Sequence, residues 1–385
     1  MWPFYAYKLL ADFLLIVPVM VPLYRDGGLT ATEIFTVQAI YSALQLLCEV
    51  PSGYLADVMG RKRTLVLGAV LFVAGLCLYA VAHGFWTFAL AEAVLGVGGG
   101  MRSGTDSALL YDTLKERGRT HTYTEIEGRA ESLTRVGTAI SSVLGGVLAA
   151  VSVRLPFYVN IGTGLLMLAV TLLLREPARD KAPRQEVLPA MAAVVQGSLR
   201  NPRMVVLMAF SGLVMGTGIT AIWGYFLFLE RAGVSLALFG VVFASVQLSS
   251  AAGAHRAFRV EKGLGSRGAI LAVVGMGGAL LPFAVSGSAW LVLLACLHAF
   301  LWGVSTPLFL ERINRLSTSD VRATTLSTNA MLGRVAYMAI SVTFGVVVDR
   351  WSVGVAFGLM AAAYLVVATA LATLLLRQET YQVTR

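Results

Sequence analysis

Charge is scarce in this sequence. Of its 385 residues only 13% are Asp, Glu, Lys or Arg, while 57% are hydrophobic. A soluble domain carries about 25% charged residues, so the polar surface needed to cover a water-soluble body of this size is missing. Soluble enzyme, nucleic-acid binder and disordered scaffold are excluded as descriptions of the whole chain. Cysteine is scarcer still. Cys48, Cys77 and Cys296 are the only three; the number is odd, each falls in a different apolar run, and no disulfide framework follows. The four histidines form no cluster with Cys or carboxylates at metal-ligand spacing, and no nucleophile–base pairing stands out. The chain is therefore expected to be no enzyme and to carry no cofactor.

Apolar sequence in long blocks is what the chain has in abundance, with a mean hydropathy of +0.76. A hydrocarbon core about 30 Å thick needs roughly 20 apolar residues per helix. Twelve runs meet that need, near 4–24, 32–52, 64–84, 86–110, 132–153, 156–174, 203–229, 235–258, 268–287, 289–311, 322–348 and 352–376. The expected fold is an all-α membrane protein with twelve transmembrane helices. The first run has no signal-peptide cleavage pattern and is read as a retained helix.

Basic residues set the orientation, because Lys and Arg accumulate in cytoplasmic connections. With the N-terminus inside, 22 of the 30 Lys and Arg lie in inward connections and the tail; the outward ones hold only Arg25, Arg154, Arg231 and Arg350. Both termini are expected in the cytoplasm, in a multi-pass protein of the inner membrane. The net charge of +9 follows from this bias, and no nucleic-acid partner is needed to explain it.

A polar stretch containing Pro177, Pro183, Pro189 and Pro202 divides the chain into a half over 1–175, a cytoplasmic linker over 176–202 and a half over 203–385. The halves echo each other at an offset of 193 residues. Arg129-Ala130 and Leu133 recur as Arg322-Ala323 and Leu326, and Gly60 and Arg63 as Gly253 and Arg256. Two matches at one offset, with six spans on each side, indicate two pseudo-symmetric six-helix halves.

The connection after the second span reads GYLADVMGRKR, from Gly53 to Arg63. It resembles the inner-loop signature of the major facilitator superfamily, G-x-x-x-D-x-x-G-R-[KR]-[KR], through Gly53, Asp57, Gly60, Arg61, Lys62 and Arg63. Without the name, Gly53 permits close helix approach, Gly60 a tight turn, and Asp57 is an anion able to meet the positive end of a helix. The resemblance implies that Asp57 braces an inner gate, with Ser319-Asp320 opening the eleventh span as its counterpart. It also implies that spans 1, 4, 7 and 10 line a central cavity. The likeness is to bacterial efflux members for drugs and other small molecules, with departures. Drug–proton antiporters often carry an arginine in span 4 where Glu92 stands here. Their span-5 glycine pattern keeps Gly137, Gly145 and Gly146 but has Ser141-Ser142 for Gly-Pro.

Ionisable groups inside spans cost about 2.5–3.5 kcal/mol each on insertion scales and need a reason. Glu92 has no cation within a helical turn and is the first candidate for a proton site. Asp12 is the second, although Lys8, four residues earlier, is placed to pair with it. Arg334, roughly 18 Å into its span, is a candidate clamp for an anionic substrate group. His298 with Trp223, Tyr225, Phe226, Phe300 and Trp302 are candidate substrate contacts, with Gly216 and Gly218 offering a bend. Glu49, Arg102, Asp106 and Asp112 are expected to form a gate charge network with Asp57, or Arg102 and Asp106 to pair locally as i,i+4 neighbours. Thr30 and Glu33 fit a capping box.

The residues and the resemblance together predict a secondary active transporter working by alternating access. Proton-coupled efflux of an amphipathic small molecule leads, with the substrate, protons and the lipid bilayer as partners and a monomer expected. Uptake, as a symporter or uniporter, of an organic anion or nutrient held by Arg334 is the alternative. A non-transporting membrane sensor or lipid-handling protein is the reading from another class.

Overall fold

In the computed structural model, residues 1–177, 196–197, 200–318 and 321–383 are described, and among them there is helix but no strand. Among the described residues ten helices are long and apolar enough to cross a membrane. An eleventh, α3 (Ala31–Met59), bends by 48° between Glu49 and Pro51, where proline supplies no N–H to the helix ladder. The twelfth place is filled by the first 26 residues, whose helix is interrupted. The linker expected over 176–202 and the Ser319-Asp320 pair fall largely or wholly outside the described residues.

The chain forms two compact units: Met1–Arg184 with Ser235–Ala244, and Gln185–Val234 with Ser245–Arg385. The first is built from α1 (Trp2–Ala11), α2 (Met20–Asp26), α3, α4 (Arg61–Val81), α5 (Gly84–Arg102), α6 (Thr105–Glu116), α7 (Tyr123–Val151) and α8 (Leu155–Leu173). Thr30 caps α3 in a complete capping box with Glu33. The glycine-rich end of α5 works by helical spacing. A Cβ on Gly96 or Gly100 would strike the α3 backbone at Tyr41 or Gln45, and one on Gly98 would strike Gly68 of α4. Helix association in lipid depends on such close approach, and α5 is thereby wedged between two neighbours.

The second unit contains α9 (Pro202–Arg231), α10 (Leu236–Leu280) from Ser245 onward, α11 (Val292–Leu316), α12 (Arg322–Arg350) and α13 (Val353–Val383). The two spans expected near 235–258 and 268–287 are present as Leu236–Gly265 and Arg267–Ala284, the two arms of α10, which meet at a kink at Gly265, where φ is +52°. The α9 helix runs unbroken, so Gly216 and Gly218 provide no bend. A Cβ on Gly216 would meet the backbone of Ala336 and Tyr337, and one on Gly218 the Trp302 indole. Both serve packing. Phe210 and Phe309 stack in the core of this unit with ring centroids 5.1 Å apart.

Candidate functional site

The first span is where local sequence and membrane physics conflict. Helix α1 stops at Ala11, with Asp12 at its C-cap (φ −118°, ψ 14°). A 3-10 turn over Val17–Val19 follows, then α2. Pro18 lies in this turn and keeps the helix from continuing through it: it has no N–H, and its ring would clash with the Leu14 carbonyl in a helix.

Carbonyls freed inside a membrane must be matched by protein, and they are. Thr134 Oγ1 of α7 donates to Lys8 O at 3.1 Å, and the Thr138 hydroxyl shares its one proton between Asp12 O at 3.1 Å and Thr134 O at 3.0 Å. Arg102 of α5 donates to Ala11 O at 3.3 Å, and Asn160 Nδ2 of α8 to Phe13 O at 3.2 Å. Gly137 and Gly145 give α7 the room: a Cβ there would strike Leu9 or the Leu15 carbonyl. The Asp12 carboxylate forms no ion pair or hydrogen bond among the described residues and is exposed. It stands at the C-terminal, negative end of α1, where a cation is favoured.

Two expected pairs are corrected by helix breaks. Lys8 does not meet Asp12, because the helix ends before Asp12 can share its face; its Nζ lies 3.1 Å from Asp106 and 3.4 Å from Glu127. Arg102 does not meet Asp106, because α5 ends at Arg102 and Gly104, at φ +73°, redirects the chain. The Arg102 guanidinium instead lies over the Phe72 ring, 5.0 Å from its centroid. The single gate network is likewise divided. Arg61 Nε meets Asp112 at 2.5 Å and Arg61 lies 3.8 Å from the exposed Asp57. Glu49 joins no ion pair among the described residues, and a Cβ on Gly53 would meet nothing within 4 Å.

The inner-loop motif has a partner that the sequence did not reveal. Glu176 accepts hydrogen bonds from the backbone N–H of Arg61 and of Lys62, each at 2.8 Å, so its carboxylate sits on the positive end of α4. Gly60 is needed twice over. Its φ is +115°, and a Cβ would meet that carboxylate.

Glu92 is 2% exposed, in the interior of the first unit. Its Oε1 accepts from Tyr24 of α2 and Tyr79 of α4, each at 2.5 Å, and from Gln38 of α3. The two tyrosine hydroxyls also touch each other. Phe88 packs edge-on to Tyr24 and Phe157 stacks on Tyr79, so the only buried carboxylate of this cluster is ringed by neutral donors and aromatic walls. Tyr24 belongs to the second half of the interrupted span, which therefore touches both candidate acids.

The second unit carries an aromatic cluster of its own. Tyr225 of α9 packs against Phe283 and stacks on Phe357, and His298 of α11 lies T-shaped to it at 6.0 Å. Tyr225 is the hub of this cluster, as Glu92 is of the first. Here the polar atoms lack partners: Tyr225 OH and His298 Nε2 are buried without a hydrogen bond among the described residues. Phe226 is also core, while Trp223, Phe300, Trp302 and Arg334 are half-buried. The six aromatic and histidine candidates thus divide between the core and a partly open surface.

Two six-span units, ionisable groups within spans and an interrupted helix that keeps its polar backbone matched define a polytopic membrane transporter. The chain belongs to the major facilitator superfamily, whose profile matches residues 9–340. It is 26% identical over 160 residues to the quinolone resistance protein NorA of Staphylococcus aureus, covering 42% of this chain and 40% of that relative. An uncharacterized MFS-type transporter of Mycobacterium tuberculosis, EfpA, is 35% identical over 116 residues, 30% of this chain and 21% of its own. The matched stretch thus spans two fifths or less of these relatives. Among solved structures, the nucleoside transporter NupG superposes with a TM-score of 0.80 at 13% identity over 96% of both chains. A D-xylose–proton symporter does so with 0.70 at 15% identity over 96% of this chain and 95% of its own.

Proposed function

We propose that this protein is a proton-coupled exporter of amphipathic small molecules, working by alternating access, with both termini in the cytoplasm. The observation that carries the reading is the interrupted first span. Its carbonyls are held by Thr134, Thr138, Arg102 and Asn160, which leaves the Asp12 carboxylate open at a helix end inside the membrane. Such a group exchanges a proton against a cationic substrate at one place, and competition for it couples the two flows. Glu92 is the second proton site. Losing or gaining a proton there changes its hydrogen bond with Tyr24, and so acts on the same span beyond its break. The likeness to a quinolone resistance protein supports export over uptake.

The test is proton flux in proteoliposomes carrying a pH-reporting dye, with a panel of amphipathic cations under an imposed gradient. A transported compound dissipates the gradient in the wild type. Asp12→Asn is expected to reduce that flux at least tenfold while the compound still binds, and Glu92→Gln to abolish its dependence on the gradient. Full coupled flux in both variants overturns the assignment. Compounds that bind without moving protons in the wild type overturn coupling itself.

A further inference from the structure

The second unit holds a cavity of about 430 Å³ between α9, α12 and α13. It lies at membrane depth. Thr217 is midway along α9, and Tyr364 is roughly 16 Å from the start of α13 at 1.5 Å per residue, in a hydrocarbon layer about 30 Å thick. Spacing of three or four residues puts Ile340, Phe344 and Val347 on one face of α12, and Met360 and Tyr364 on one face of α13. Ala356, at the same spacing before Met360, is too small to fill the room between the two helices. Among the described residues no charged side chain lines the cavity.

One group on this lining is out of keeping with the rest. Thr217 is 1% exposed and forms no hydrogen bond among the described residues. A threonine inside a helix usually bonds back to its own backbone, as Thr220 does to Gly216 O at 2.7 Å. The other two hydroxyls on the lining are spent. Thr343 donates to Ala339 O at 2.8 Å, and Tyr364 to the Met276 sulfur at 3.6 Å. Thr217 alone has a donor to offer.

That donor sorts the occupants. Water needs two to four polar partners and finds one. A lipid tail fits the walls but leaves the hydroxyl unmatched, which is costly away from water. A charged compound meets no counter-ion. What fits is neutral, largely apolar and equipped with an acceptor oxygen. Cavities for drug-sized ligands run from about 300 to 1,000 Å³, so the size suits one such molecule. Leu359 and Val367 line the cavity and are exposed, so it opens through an apolar surface that a compound dissolved in the bilayer can cross without entering water.

We propose that this cavity binds a neutral, membrane-soluble compound bearing a ketone or ether oxygen, which accepts a hydrogen bond from Thr217. The site is independent of which compound the protein moves and of its coupling to protons.

Benzophenone is the probe, a neutral diaryl ketone that cross-links to nearby C–H bonds under near-ultraviolet light. The purified full chain in lipid nanodiscs is expected to label saturably, and peptide mass spectrometry to place the label on Leu213, Met360 and their neighbours in the cavity. Fluorenone, which keeps the carbonyl, is expected to displace the probe about fivefold better than fluorene, the same rings without oxygen. That is the factor one hydrogen bond of ordinary net strength implies. Thr217→Val keeps the shape and removes the donor. It is expected to weaken labelling by the same factor of about five, and Thr217→Ser to restore it. Ala356→Leu is expected to abolish labelling by filling the space. Label that never saturates and spreads over exposed apolar residues means that lipid tails cover the groove, and overturns the proposal. So does equal displacement by fluorene, or full labelling of Thr217→Val. The melting temperature of probe-free Thr217→Val, expected to be no lower than that of the wild type, separates a lost site from a lost fold.

Discussion

Glu92 and His298 are both buried within spans, yet they differ in what surrounds them. Glu92 has three neutral donors on one oxygen, whereas His298 Nε2 and Tyr225 OH have none among the described residues. Removing a partner from a buried acceptor costs about 1–3 kcal/mol, while removing a hydroxyl that was never matched costs little. Tyr79→Phe removes one donor and leaves Tyr24 and Gln38 on Glu92, so it is expected to lower the thermal stability of the protein in detergent by about 1 kcal/mol. Tyr225→Phe is expected to be neutral or slightly stabilising, and a large loss there would reveal a buried water or ligand joining Tyr225 to His298. Sequence made Glu92 legible, because a carboxyl in an apolar run is conspicuous. Its partners were not, because they lie 68, 54 and 13 residues away, and two of the three are tyrosines that look like ordinary apolar packing.

The interrupted first span shows how one element is held together by others. Pro18 keeps the helix from continuing through its turn, but the span's survival in a membrane follows from Thr134, Thr138, Arg102 and Asn160 on three separate helices. Thr138→Val leaves the side chain's shape and removes its donor to Asp12 O. The expected result is a stability loss of about 1 kcal/mol, with Thr138→Ser restoring it, both read from thermal unfolding. Equal stability in all three forms would mean that another donor, such as the Leu14 N–H already 2.9 Å from that carbonyl, satisfies it alone. Hydropathy located this span and the eleven others because length and apolar content are local properties. It treated Lys8–Asp12 and Arg102–Asp106 as helical neighbours because i,i+4 reasoning assumes an unbroken helix. Pro18 and Gly104 were the visible warnings in each case. Glu176 gave no such warning: its place on the start of α4, 115 residues away, depends on the packing of a whole unit.

For the whole molecule, the fold and the orientation rest on different physics. Apolar blocks fix how many helices cross, and a bundle of them packs equally well either way up. Only the distribution of Lys and Arg distinguishes the two sides, and on the bias of 22 against 4 the Gly53–Arg63 loop is proposed to face the cytoplasm. Single cysteines can read this directly on a background with Cys48, Cys77 and Cys296 replaced. Asp26 and Ser288 are exposed in connections expected outside, and Arg117 and Lys262 in connections expected inside. With a membrane-impermeant thiol reagent on intact cells, Asp26→Cys and Ser288→Cys are expected to label at once. Arg117→Cys and Lys262→Cys are expected to label only after the membrane is opened. The reverse pattern would put the Asp57 and Arg61 loop outside, so that the gate it is proposed to brace would face away from the cytoplasm. Under that outcome the proposed inner-gate role of Asp57 would fall, while the helix count and both buried clusters would stand.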